Sequence, residues 1–259
     1  MTARKSSGRT QLGKVTIARM VALRIRGRLG RNLRAIGVVG SVARGMAEIY
    51  SDVDMLVMVK RLRRSLPTEF ILRGTYCSIN QRTLRDAIDE LTVPSDRLPE
   101  IIGGYRKILP LYDPGNLMPY LERTAAKIPN RVFRRSAQLA LLHSYEDFCR
   151  VKNAYLDHDE VVLIDSAQYV TYSAALAVAS LNRTGFNSDR EIFKAHQNYS
   201  KLPKGFQRIE RLRYQGLVEP RTLYATLLEF YVNLVRFCRT QGLSFPVSES
   251  SLRQLKLCR

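Results

Sequence analysis

No acidic residue occurs before Glu48, although Arg4, Lys5, Arg9, Lys14, Arg19, Arg24, Arg26, Arg28, Arg31 and Arg34 precede it. Long apolar runs are missing too. No stretch approaches the roughly 18 uninterrupted residues that a membrane span needs, and no charged, apolar, small-residue leader opens the chain, so the expectation is a soluble cytoplasmic protein. The four cysteines, Cys77, Cys149, Cys238 and Cys258, include no CxxC pair, and His143, His158 and His196 have no metal-like spacing. That argues against a zinc site and for reduced thiols that fill the core. Internal repeats and low-complexity tracts are also lacking.

What is present is charge of one sign. A formal charge of +19 on 259 residues attracts polyanions, whether nucleotides, nucleic acid or an acidic membrane surface, without choosing among them. The acid-free start has three readings: a disordered tail followed by a helix with a solvated basic face, a nucleic-acid-binding arm, or an organellar transit peptide. Val15, Ile17, Val21, Leu23, Ile25, Leu29 and Leu33 argue against the last, because they form a helical stripe running into a strand.

The stripe predicts a helix over about 14–34, followed by strands at 35–39, 52–59, 70–80 and 106–112 and a helix over 83–91. From 116 onward the pattern is helical, with candidates at 116–127, 131–155, 161–182, 188–198 and 219–241. The expected organisation is a basic disordered tail over 1–13, a sheet-bearing domain over 14–115 and a helical domain over 116–259. The fold class is α+β, a mixed sheet with flanking helices followed by a helical bundle.

The chemistry concentrates in Gly40-Ser41-Val42-Ala43-Arg44-Gly45 and Ser51-Asp52-Val53-Asp54. Residues two apart on a strand share a face, so Asp52 and Asp54 present paired carboxylates while Val53 turns to the core. Such a pair suits Mg²⁺, which takes oxygen ligands from one or two carboxylates together with phosphates and water. A Gly-Ser turn between a strand and a helix offers backbone N–H groups, a hydroxyl and a helix N-terminus to phosphate oxygens, and Arg44 adds a charge-assisted contact. Alone, an Asp-x-Asp is an ordinary solvated strand end and a Gly-Ser an ordinary turn. Together, on consecutive strands, they point to a site.

The spacing resembles the nucleotidyltransferase superfamily built on a DNA polymerase β-like palm, and within it the kanamycin and aminoglycoside nucleotidyltransferase-like proteins. The resemblance extends to Tyr145-Glu146-Asp147-Phe148-Cys149-Arg150, similar to a helix that supplies a general base and, four residues on, a cation at the nucleotide. It implies Asp52, Asp54 and Glu146 as catalytic residues, with Asp52 and Asp54 as metal ligands. Gly40, Ser41, Arg44, Ser51 and Arg150 would then contact the nucleotide. Also implied are Mg²⁺ (Mn²⁺ as the alternative), an NTP donor with ATP first, a hydroxyl acceptor on a small molecule, RNA or protein, and a homodimer. Residues four apart share a helix face whatever the family, so Glu146 and Arg150 also fit a plain surface ion pair.

One position departs from the pattern: where the family places a third carboxylate on the next strand, the chain has Ser78. Glu48 and Glu69 lack the spacing to replace it. Two other readings therefore stand beside the enzyme, a non-catalytic nucleotide- or RNA-binding module and the antitoxin half of a toxin–antitoxin pair. The run Asp157-His158-Asp159-Glu160 is read either as a cation-binding cluster or as a helix cap. Arg190 and His196 match a short ribonuclease motif that recurs by chance.

Overall fold

A computed structural model describes residues 2–62, 68–186, 191–192, 196–214 and 218–244. They form two compact units. The first takes in residues up to 93 and 100–128, with Phe186; the second takes in 94–99, 129–185 and the described residues from 191 on.

Helix α1 (Thr2–Leu29) begins inside the segment expected as a disordered tail. Ile17, Val21, Ile25 and Leu29 recur every fourth residue, so they line one face and are buried. Each such burial contributes roughly 1.5–3 kcal/mol. They pack on one face of a five-stranded sheet, against Ile36, Val38, Val53, Met55, Val57, Cys77 and Ile79.

The strands are β1 (Leu33–Val38), β2 (Val53–Val59), β3 (Glu69–Leu72), β4 (Thr75–Arg82) and β5 (Leu109–Tyr112), in the spatial order β3-β4-β2-β1-β5. The β2/β4 pair is parallel and the other pairs are antiparallel, the mixed sheet that the sequence led us to expect. The run expected as one strand over 70–80 is instead a hairpin. Arg73 (φ 50°) and Gly74 (φ 71°) both take positive φ, as a two-residue type I′ turn requires, and fold β3 back on β4.

Alternation sends Asp54, Leu56 and Met58 to the sheet face opposite α1. Their row neighbours there include Ser78 and Asn80 on β4 and Gly37 on β1. A Cβ on Gly37 would collide with Ile108 and reach Met118 Sδ at 3.2 Å, so only glycine lets helix α5 (Leu117–Ala126) lie this close to β1. Through that contact α5 belongs to the first unit, although the sequence boundary was expected before it, at 115/116.

Helix α3 (Leu84–Thr92) starts where the sequence placed it, at a capping box in which Thr83 and Asp86 satisfy each other's backbone N–H groups. Helix α4 (Leu98–Tyr105) was not expected. Its Pro99 and Gly103-Gly104 read as breakers, but buried Ile102 and Tyr105 hold it in place.

The second unit is helical: α6 (Asn130–Leu156), α7 (Glu160–Leu181), α8 (Phe206–Tyr214) and α9 (Pro220–Thr240). Helices α6 and α7 pack on each other, and both bury small residues, among them Ala137, Ala140, Ala167 and Ala174. By length and composition α7 could cross a membrane, yet 56% of its apolar window is buried inside the protein, as in a core helix. Tyr231 of α9 stacks on Phe148 with centroids 4.5 Å apart, and Tyr224 stacks on Tyr155 at 4.1 Å. Most of the helix expected over 188–198, with Arg190, lies outside the described residues, as does Cys258.

Candidate active site

Past β1 the Val39 N–H still donates to the Asp54 carbonyl (2.9 Å), carrying the β1/β2 ladder one step further. Gly40 then adopts φ 70° and starts a single helical turn, α2 (Gly40–Ala43), whose first N–H groups have no acceptor within the helix. A Cβ at Gly40 would sit 3.1 Å from Asp54 Oδ2. Glycine is thus required twice, for the positive φ and for the turn's close approach to the carboxylate.

The loop from Arg44 to Ser51 is held at several points. The Met46 N–H donates to Ser41 O (2.9 Å) and the Gly45 N–H to Val42 O (3.2 Å). Gln11 of α1 braces it from outside: its amide donates to Val42 O (2.7 Å) while its carbonyl accepts from the Ala47 N–H (3.1 Å). Ser51, expected at the nucleotide, uses its hydroxyl to accept from the Glu48 N–H (2.8 Å), closing the turn that delivers Asp52. Arg44 is half-buried at the end of α2.

Val53 is fully buried, Asp52 is exposed and Asp54 is half-buried, the alternation expected of the motif. Burial, and then the charge of Asp52, push the Asp54 carboxyl up from the usual value near 4 to about 6. Two carboxylates that repel each other at the foot of a phosphate-type turn form a hard-oxygen donor set that fits a divalent cation. Among the described residues no three His, Cys, Asp or Glu side chains converge on one point, so phosphate and water oxygens would complete such a shell.

The raised pKa has a consequence for stability. Ionising Asp54 costs the folded state free energy: the deficit is absent below about pH 4 and fully developed above about pH 6. A cation relieves it. Millimolar Mg²⁺ is therefore expected to raise the melting temperature more at about pH 7.5 than at about pH 5, each kcal/mol being worth about 2–4 °C at this size. Thermal melts at both pH values check this, and equal shifts would contradict it.

The sheet register surrounds the pair with residues that sequence spacing passed over. Asp54 pairs with Ser78, and Ser78 pairs with Glu69 on β3, so these three form one row across the sheet. Tyr76 hydrogen-bonds Glu69. Loss of water around its hydroxyl, that bond and the charges of Glu69, Asp52 and Asp54 hold its pKa above the usual value. Two residues further along β2 and β4, on the same face, a cleft of about 240 Å³ opens between Leu56, Asn80 and Arg82 and the helical residues Glu90, Glu100 and Tyr105. Glu90 ties its lining together, taking the Arg82 guanidinium on one oxygen and the Tyr105 hydroxyl (2.8 Å) on the other. The cleft went unforeseen because α4 did.

Residues 22–102 match the model of a family described as nucleotidyltransferase domain. Aminoglycoside nucleotidyltransferases (4′) from Staphylococcus aureus and from a Bacillus species are each 19% identical to it over 242 residues, 93% of this chain and 96% of theirs. The solved structure of a nucleotidyltransferase-like protein from Exiguobacterium sibiricum shares the fold, with a TM-score of 0.53 at 10% identity over 86% of this chain and 75% of that one. These likenesses support a nucleotidyltransferase enzyme of the superfamily that the motifs resemble.

The other expected site residues lie in the second unit. On α6, Arg150 Nη2 donates to Glu146 Oε1 (2.6 Å), and Nη1 lies 3.5 Å from Asp147. Glu146 and Arg150 are exposed, whereas Asp147 is largely buried and bonded to the Ser173 hydroxyl (3.0 Å). Burial raises the Asp147 pKa against the opposing pull of Ser173 and Arg150. His143 pairs with Asp96 (2.9 Å), and His196 is buried against Phe206. Asp159 accepts from the Val162 N–H and caps α7, which favours the capping reading of the acidic run.

Proposed function

We infer that the chain moves a nucleoside monophosphate from an NTP to a hydroxyl, releasing pyrophosphate, with Asp52 and Asp54 holding Mg²⁺. The meeting of Gly40 with the Asp54 carboxylate carries this reading, because it puts a phosphate-binding turn and a paired-carboxylate site at one point. When bound, the metal would neutralise charge on the phosphates. The backbone of Gly40 and Ser41 would position the triphosphate and Arg44 would add a charged contact. Glu146 would take the acceptor proton, with Arg150 both holding its carboxylate and reaching the nucleotide. The resemblance supports a homodimer in which the helix of one subunit serves the aspartates of the other.

The relatives' names point to an aminoglycoside acceptor. A polycationic acceptor meets long-range repulsion from a +19 protein, so we place a less charged hydroxyl compound first. Ser78, in place of a third carboxylate, favours the non-catalytic alternative. Transfer of label from an α-labelled NTP in the presence of Mg²⁺ decides between them, and no turnover of any NTP over a panel of hydroxyl acceptors would sink the enzyme reading.

Ser41→Ala tests the phosphate site. Backbone N–H groups remain, so the loss is one hydrogen bond to a charged group, about 1.5–3 kcal/mol. Roughly 10- to 100-fold weaker binding of an NTP is expected by calorimetry, with the melting temperature nearly unchanged. Wild-type affinity in this variant would move the triphosphate elsewhere.

A further inference from the structure

The sheet end farthest from the aspartates carries a second anion-directed feature. Arg24 and Arg28 near the end of α1, Arg31 in the following turn, and Lys60 and Arg61 just past β2 are all exposed. Asn32 ties the two segments together: its side chain donates to Arg61 O (2.9 Å) and accepts from the Arg61 N–H (3.1 Å), while the Lys60 N–H donates to Asn32 O (2.9 Å). None of the five cations is ion-paired with a carboxylate among the described residues. The helix C-terminus accounts for Arg28, which faces the negative end of the dipole. It does not account for Arg31, Lys60 and Arg61, which lie beyond the helix.

We propose that this end of the first unit is a docking surface for the phosphodiester backbone of a nucleic acid, separate from the site of chemistry. Charge complementarity supplies the attraction, and the arginines supply planar, bidentate donors that match phosphate. An acidic membrane is the lesser occupant. A helix that binds in the interface must bury an apolar face in lipid, whereas the apolar face of α1 is sealed against the sheet. Along β2 the surface lies roughly 20 Å from Asp54, at about 3.3 Å per residue, so it can hold a polyanion without occupying the Gly40-Ser41 turn.

Fluorescence anisotropy with labelled RNA and DNA duplexes of about 20 base pairs, over about 50–200 mM salt, tests the proposal. The variant Arg28→Gln/Arg31→Gln/Arg61→Gln is compared with Lys127→Gln/Arg131→Gln/Lys201→Gln, which removes the same charge from exposed positions elsewhere. Wild type and the second variant are expected to bind alike. The first should bind at least tenfold more weakly, with the slope of log K against log salt reduced by about 2 to 3, near 0.9 per lost phosphate contact. Transfer of label from NTP should be unchanged in both variants, which separates this surface from the catalytic reading. Equal weakening by the two variants would reduce the effect to net charge and overturn the proposal. So would the absence of saturable binding by wild type, or tighter binding to phosphatidylserine vesicles than to either duplex.

Discussion

Asp54→Asn is expected to abolish Mg²⁺-dependent transfer, with kcat falling on the order of 10³-fold or more, while the fold persists or becomes slightly more stable. The two halves of this result have one origin. Asp54 is half-buried beside Asp52, and its carboxyl is pushed up to about 6, so its charge is a burden on the empty protein and an asset once a cation is present. The amide keeps the shape beneath Gly40, removes the repulsion and removes a metal ligand. Asp52→Asn should lose activity similarly, with a smaller gain in stability, since it removes the repulsion but leaves the Asp54 charge half-buried. Radiolabel transfer and thermal melts on both variants are the measurements. Full activity in both would end the two-carboxylate mechanism.

Glu146→Gln carries the second large expectation, a fall in kcat of about 10²–10⁴-fold with NTP affinity within twofold of wild type. The amide keeps the hydrogen bond that Arg150 donates to Glu146, so Arg150, the proposed nucleotide contact, stays in place. Only the capacity to accept a proton is lost. An exposed i, i+4 ion pair with a purely structural role is worth at most about 1 kcal/mol and would leave kcat alone. Steady-state kinetics with NTP and acceptor varied separately tell the two apart, and an unchanged kcat returns Glu146 to the surface. Asp147, largely buried and engaged by Ser173, is the control: its amide variant should leave kcat near that of wild type.

The parts of the site legible in the sequence are those whose signals are local. Gly40-Ser41 and Asp52-Val53-Asp54 each lie within a few residues, and strand alternation is enough to bring both carboxylates to one face. Strand ends were less legible, because Arg73-Gly74 is not one of the usual hairpin dipeptides and the run looked continuous. Once the two-residue turn is known, counting outward from it pairs Glu69 with Ser78, so the row beside Asp54 was implicit in the chain. Gln11 gave no such signal. It acts on backbone groups 31 and 36 residues away, and a lone glutamine on a basic helix has no pattern to mark it. Helix α4, and with it the cleft, was hidden by Gly103-Gly104, because burial of Ile102 and Tyr105 outweighs propensity there.

The brace from Gln11 bears on where this chain can be shortened. The segment that matches the nucleotidyltransferase domain begins at residue 22. A fragment cut to those limits would keep Gly40, Ser41 and both aspartates. It would nevertheless shed the side chain that fastens Val42 and Ala47, and with it the buried Lys14 ammonium that bonds Thr75 at the head of β4. The Gly-Ser turn and the paired aspartates would survive in a polypeptide whose loop had lost its anchor, so where the chain can start is set by the first helix and not by the extent of the signature.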